Sequence, residues 1–366
     1  MKKRLTLPLA FILPLAACQS TPPAPMDYTE NTEQESVQPE TFERYGSIVV
    51  PAGTAEKPVN MRLWYARPDR VTAETPVVLV MHGGRRDADN YRDFWGPYAS
   101  KYNVLVVAPE VSQQDFPSGW GYQTGNWVSP DSSSVDASKG HRNPPEQSSF
   151  AAVDRAFDGL CERFGLNASE YDIWGHGSGA QFVTRMIMLY PQARVRTAVA
   201  ANSGTYTFPD WSLPLRYGLK NTGIEPEDLE AAYAHHLVIM LGTADNDTSH
   251  RLLSQLDIAR AQGAHRLAKG RNFYAANERQ AEKLRVPYNW ELRTVYDIGH
   301  SGRKMSGPGA RYLLAGKAEE PLFPLRRDDA TGQDRDDAGG DGPGRDGAET
   351  SKDLLRGSGD GEMSPF

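Results

Sequence analysis

The sequence predicts an α/β fold, a doubly wound and mainly parallel sheet of about eight strands flanked by helices. Three observations point there. Short unbroken runs of Val, Ile and Leu recur through the middle of the chain, as strands buried on both faces require. Segments with apolar residues at helical spacing lie between those runs. Glycine, aspartate and histidine gather just past the ends of the runs, where ligands bind on such sheets.

In chain order, "SIVV" and "NMRLWYA" form an early pair of strands. "PVVLVMHGG", "YNVLVVAPE", "YDIWGHG", "RTAVAANSG", "HLVIMLGTAD" and "WELRTVYDIGH" are six stronger strand candidates. The helical segments are "DNYRDFWGPYASKY", "SSFAAVDRAFDGLCERFG", "GAQFVTRMIMLYP" and "SHRLLSQLDIARAQGA", with a final helix after His300. Parallel neighbours joined through helices take right-handed crossovers. Residues 45–320 hold this domain, without an internal repeat.

The chain opens "MKKRLTLPLAFILPLAACQS". Lys2, Lys3 and Arg4 make a basic start, and the apolar run that follows is too short to cross a bilayer. Residues 1–17 therefore read as an export signal. The Leu-Ala-Ala-Cys ending resembles the bacterial lipobox, which implies cleavage before Cys18, a lipid on that cysteine and a membrane anchor. By the same resemblance, Gln19 favours the outer membrane, facing the periplasm. The alternative is an ordinary signal peptide with a chance cysteine. Residues 18–44 are rich in Pro, Thr, Gln and Glu and read as a flexible tether. Residues 321–366 read as a disordered, acidic Gly/Asp-rich tail.

The formal net charge of −7 is unevenly placed, with eleven acidic against six basic residues from Arg326 to Phe366. The folded part is close to balanced and has no basic field for nucleic acid. With Cys18 lipidated, Cys161 has no disulfide partner, and its helical context marks it as a small packed residue. The histidines lack paired ligand spacing, and "GHGSGAQ" lacks the lysine of a phosphate loop. Neither a metal nor a cofactor is expected.

Four strand ends carry candidate chemistry. After "VVLVMHGG" the chain turns through His82, Gly83 and Gly84, whose N–H groups can approach a ligand or simply end a strand. "YDIWGHGSGAQFVTRM" reads as strand, tight turn and helix, the way a serine hydrolase presents its nucleophile in Gly-x-Ser-x-Gly. Here the serine comes one place late. Counting from Gly175, the nucleophile position holds Gly177, and the turn's serine is Ser178.

Two geometries are open. In the ordinary register Gly177 takes the strained positive φ, and Ser178 opens the helix with its N–H facing the oxyanion site. In the shifted register Ser178 takes that position. Ala180 is then small enough two places after, but His176 is bulky two places before. The third strand end, "LGTADNDTSH", offers Asp245, with Asp247 in reserve, as the acid that orients a histidine or as a helix cap. The fourth, "IGHSGRKM", places His300 after the last strand, where a triad base belongs. The order serine, aspartate, histidine completes the pattern.

At these residues the sequence resembles the α/β-hydrolase superfamily, and within it bacterial poly(3-hydroxybutyrate)-depolymerase-like esterases. "VVLVMHGGRRDADNYRDFW", "LVVAPE", "FPSGWGYQTGNW", "GHGSGAQFVTRM", "AANSGTYTFPD", "LGTADND", "AQGAHRLAKGRNFY" and "IGHSGRKM" match its pattern in order, from about Pro76 to Leu314. The resemblance implies Asp245 and His300 as triad members and Gly84 as an oxyanion donor. It also implies that "FPSGWGYQTGNW" lines the substrate cleft, with Trp120, Tyr122 and Trp127 as an aromatic wall, although a packed surface loop is the other reading. The group reads Gly-His-Ser at the elbow, so Gly177 departs from it.

The expected function is an envelope-anchored serine hydrolase acting on a small or polymeric ester. In it Ser178 attacks, His300 moves the proton, Asp245 orients His300, and N–H groups of Gly84 and Gly179 stabilise the oxyanion. The alternative is a catalytically dead relative that binds an acyl or glycan ligand. The unbroken register of Gly179 to Phe182 favours the second reading, and the surviving acid and base favour the first.

Overall fold

The computed structural model describes residues 42–130 and 140–315. The chain divides between Thr41 and Phe42, and every described residue belongs to the second unit. The proposed export signal, Cys18, most of the tether and the acidic tail lie outside the described residues.

Eight strands form one sheet: β1 (Tyr45–Pro51), β2 (Asn60–Ala66), β3 (Val77–Met81), β4 (Leu105–Glu110), β7 (Tyr171–His176), β8 (Val195–Ala201), β9 (His236–Gly242) and β10 (Glu291–Val295). A small hairpin, β5 (Val128–Ser129) with β6 (His141–Arg142), stands apart. The sheet order is β1-β2-β4-β3-β7-β8-β9-β10. β2 runs antiparallel to both β1 and β4, and the remaining neighbours are parallel. This is the predicted doubly wound architecture.

The helices are α1 (Ala88–Tyr102), α2 (Ser118–Gly121), α3 (Ser149–Phe164), α4 (Ser178–Leu189), α5 (Leu229–Ala234), α6 (Asp257–Arg260), α7 (Arg266–Leu284) and α8 (Gly302–Leu314). Successive strand residues point to opposite faces, so a run such as "VVLVM" in β3 feeds two cores at once. Val78 and Val80 pack with Tyr91, Trp95 and Ala99 of α1 and with Met305 and Ala310 of α8. Val77, Leu79 and Met81 join the other core, with Phe150 and Phe157 of α3, Phe182 and Met186 of α4, and Phe273 of α7.

Caps set the helix limits. Ser148 accepts the Ala151 N–H to start α3, and Gly165 ends it at φ 63°. Ser301 accepts the Lys304 N–H to start α8, immediately after His300. Cys161 is half-buried, and burial pushes its thiol up to about 11.

One helix differs from expectation. The segment "SHRLLSQLDIARAQGA" holds only the short α6, and Leu252 and Leu256 are exposed. The long helix instead begins at Arg266, capped by His265, whose Nδ1 accepts the Ala268 N–H. Gly263, at φ 146°, breaks the chain between the two, which apolar spacing alone does not reveal.

Candidate functional site

The carboxyl ends of β3, β7, β9 and β10 bring the candidate residues to one edge of the sheet. β7 ends at His176, Gly177 follows with φ 58° and ψ −111°, and α4 begins at Ser178. Gly177 therefore takes the positive-φ position of the turn, and the ordinary register is the one that forms. The cause is packing on either side. A Cβ on Gly175 would meet the Gly179 carbonyl oxygen at 2.3 Å, and one on Gly179 would meet the Met81 carbonyl oxygen at 2.3 Å. A slip of one residue would put His176 and Ala180 at those two places, and neither fits.

This corrects the displaced-serine geometry. Ser178 is the first residue of α4, and its Oγ accepts a hydrogen bond from Gln123 Nε2 at 2.8 Å, with no bond to His300. The same oxygen lies 3.1 Å from where a Cβ on Gly84 would sit, so the hydroxyl faces the turn after β3. The register also moves the helix-side N–H of an oxyanion site from Gly179 to Ser178, the residue after the turn. Gly84 keeps its place opposite.

His300 and Asp245 do meet. Asp245 is buried, and its Oδ2 accepts from His300 Nδ1 at 2.9 Å. A carboxylate only accepts, so the proton sits on Nδ1 and the Nε2 lone pair points away from Asp245. His300 Cε1 and Nε2 both lie 3.5 Å from the position a Cβ on Gly177 would take. Asp247 is exposed and caps its own loop by accepting from the Ser249 N–H and hydroxyl, so Asp245 is the acid of the pair.

Sequence reading missed several neighbours. Arg266 is buried, and its Nη1 donates to Asp245 Oδ1 at 3.3 Å while Nη2 reaches His250 Nδ1 at 3.2 Å. Asp245 is thus shared between a histidine and a guanidinium. His176 is also buried. Its ring lies 4.6 Å from that of His300, its Nε2 has no partner among the described residues, and burial holds it well below the ordinary histidine value. Gln123 stood within the quoted loop, between two residues chosen for their aromatic rings. Arg266 carried no local signal, and His176 stood out in the sequence only as a bulky neighbour of the turn.

His82 is structural. Its Nε2 accepts the Val111 N–H at 3.1 Å, so the neutral ring carries its proton on Nδ1, toward the Gly83 carbonyl. Burial lowers its pKa to about 3. The aromatic wall also needs correction. Tyr122 and Trp127 are core residues, 1% and 2% exposed. The Tyr122 hydroxyl donates to the His82 carbonyl at 2.6 Å, and Trp127 Nε1 donates to the Thr222 carbonyl at 2.9 Å. Of the three, only Trp120 keeps a partly exposed face. Among the described residues no cluster of His, Cys, Asp or Glu has metal-binding geometry.

No family model and no curated protein sequence matches the chain. Solved structures do. Poly(aspartic acid) hydrolase-1 from Sphingomonas sp. KT-1 is 38% identical, with a TM-score of 0.67, over 74% of this chain and 98% of that one. A poly(3-hydroxybutyrate) depolymerase from Bordetella parapertussis is 30% identical, with a TM-score of 0.67, over 75% of this chain and 92% of that one. The likeness spans nearly the whole of both relatives. The chain belongs to the α/β-hydrolase superfamily, in its poly(3-hydroxybutyrate)-depolymerase-like group.

Proposed function

We propose that this protein is an ester hydrolase in which His300, oriented by Asp245, activates water at Gly177 instead of passing an acyl group through a serine there. One observation carries the reading: an aspartate-held imidazole turns its Cε1–Nε2 edge toward the place where the group's nucleophile side chain would begin. Glycine leaves that space to a water molecule. Water oxygen bonds to the acyl carbon while His300 Nε2 takes its proton. The tetrahedral oxyanion lies between the N–H groups of Gly84 and Ser178. Collapse breaks the bond to the alcohol oxygen, which receives the proton from His300, and acid and alcohol leave.

Such a site keeps the part of catalysis that does not depend on a covalent nucleophile, on the order of 10³–10⁴-fold over water in serine proteases stripped of a triad member. The hydrolase identity of both relatives supports the coarse reading, and the name of the poly(3-hydroxybutyrate) depolymerase supports a polymeric ester alongside a small one. A second route keeps Ser178 as nucleophile. Its hydroxyl faces Gly84 within the cleft, but it must first leave Gln123 and turn toward His300.

A fluorophosphonate probe and a panel of p-nitrophenyl esters separate these. Hydrolysis that is abolished by His300→Ala, without an adduct on Ser178, supports the water route. A His300-dependent adduct on Ser178 establishes the serine route. A folded protein with neither adduct nor turnover overturns both and leaves the binding relative.

We also propose that a lipid on Cys18 holds the domain at the envelope, on the strength of the basic start, the apolar run and Leu-Ala-Ala-Cys. Palmitate incorporation in a bacterial host tests it. Labelling that survives Cys18→Ser would remove the proposal.

A further inference from the structure

The loop beside Ser178 is held by three arginines, and none of them has a carboxylate partner among the described residues. Arg86 donates to the carbonyls of Val111, Phe116 and Ser118 and lies 4.5 Å over the Tyr122 ring. Arg185, fully buried, donates to Thr207 Oγ1, the Gln123 carbonyl, Gln181 Oε1 and the Arg216 carbonyl. Arg216 stacks 4.5 Å over Trp120. All these acceptors are neutral. A buried positive charge without a counter-charge is costly, and three around one loop leave a local positive field.

Arg216 packs beside Trp120, the partly exposed ring of this loop. It is only half-buried, and it is held at φ 89°, a conformation that a non-glycine residue rarely adopts. Its Nε is buried and has no hydrogen-bond partner among the described residues. Strain of this kind persists where surrounding structure imposes it, and here Arg185 grips the Arg216 carbonyl at 3.0 Å. Arg216 Nη2 and Gln123 Oε1 both lie 2.6 Å from where a Cβ on Gly119 would sit. Gln123 in turn reaches Ser178 Oγ at 2.8 Å. Gly119 therefore packs between the guanidinium and the glutamine that bonds to the turn facing His300. The Arg216 guanidinium lies over the Trp120 ring, and a planar guanidinium is the group suited to two parallel bonds with a carboxylate.

We infer that Arg216 is a specificity-determining residue that binds a free carboxylate on the substrate, so that the preferred substrates are carboxylate-bearing esters rather than neutral ones. The inference deepens the hydrolase reading and rests on it for the reaction, though not for the binding. The carboxylate sits on the Arg216 fork beside Trp120. The scissile carbonyl then lies a short spacer away, between Gly84, Ser178 and His300.

Calorimetric titration with glutarate and with its neutral diamide, glutaramide, tests the binding without requiring turnover. Glutarate is expected to bind saturably and the diamide about tenfold or more weakly, the difference that a charge-assisted pair supplies. Arg216→Gln should weaken glutarate by about tenfold, and Arg216→Lys should recover only part, because an ammonium lacks the fork. Gln123→Glu, which leaves the arginine in place and sets a carboxylate beside it, should also suppress glutarate binding. Equal binding of acid and diamide, or glutarate binding that persists in both Arg216→Gln and Gln123→Glu, overturns the inference. Hydrolysis of neutral p-nitrophenyl butyrate is read separately. Glutarate binding without any ester turnover keeps the subsite and removes the hydrolase reading, whereas turnover without glutarate binding does the reverse.

Discussion

His300 faces Gly177: both Cε1 and Nε2 of the imidazole lie 3.5 Å from the point where a side chain on that glycine would begin. A base held in working geometry thus confronts a residue that has no side chain to activate. The first prediction reverses that. Gly177→Ser should place a hydroxyl within hydrogen-bond reach of Nε2 and complete a triad. At φ 58° a serine costs about 1–3 kcal/mol of strain. The variant should melt lower, yet gain a fluorophosphonate adduct at position 177 and hydrolyse esters at least about a hundredfold faster. An unlabelled, folded variant would show that the turn does not present position 177 to substrate.

Removing the neighbouring hydroxyl should matter far less. Ser178 Oγ bonds to Gln123 and not to His300. Ser178→Ala should change kcat by no more than a few-fold, because its backbone N–H remains, whereas His300→Ala should lower kcat by about 10²–10⁴ as general bases do. Steady-state kinetics on one p-nitrophenyl ester decides it. Equal losses in the two variants would restore Ser178 as the nucleophile.

Asp245 has two partners, and its loss should show in two readouts. In Asp245→Asn, His300 loses the acceptor that fixes its tautomer, so kcat falls. Arg266, 2% exposed, is left as an unpaired buried charge. Breaking a buried pair from one side costs about 3–5 kcal/mol. Adding Arg266→Met should recover much of that stability without recovering activity. If denaturant midpoints show no recovery in the double variant, the Arg266 pair is not what destabilises the single one.

His82 and His176 predict loss of stability in mild acid. Burial holds both below the ordinary histidine value, His82 at about 3. The unfolded chain therefore takes up these protons first, and stability rises with pH. The contribution is complete above about pH 6.5 and is lost as pH falls toward the folded values, a loss of about 2 kcal/mol for His82 by pH 5. Urea denaturation at pH 8, 7, 6 and 5 should give a flat response between 8 and 7 and a fall below 6. His82→Asn should lessen that fall. A stability unchanged from pH 7 to pH 5 would contradict the neutral, buried state of both rings.

Much of the site was legible because it follows from chain order. Asp245 and His300 stand just past β9 and β10, and strand ends in a parallel sheet converge on one edge. Tyr122 and Trp127 were misjudged because a glycine-rich loop does not declare which of its aromatic rings turns inward. Gln123, Arg216 and Arg266 were overlooked because their meaning lies in partners far away, such as Asp245 for Arg266 and Ser178 for Gln123.

The sequence by itself determined the parallel sheet, its two apolar faces and the strand ends that carry the acid and the base, since runs of Val and Ile and the placing of polar residues at their ends are local properties. It left the turn after β7 open between Gly177 and Ser178, because both stand among small residues and only the bulk of His176 spoke against the shifted register. Only the tertiary structure decided. The Met81 carbonyl on β3 leaves no room for a side chain at Gly179, and the Gly179 carbonyl leaves none at Gly175. Two contacts, one of them across the sheet, lock α4 by one residue and hand the nucleophile's place to glycine. Close packing, which local propensity cannot express, sets that register.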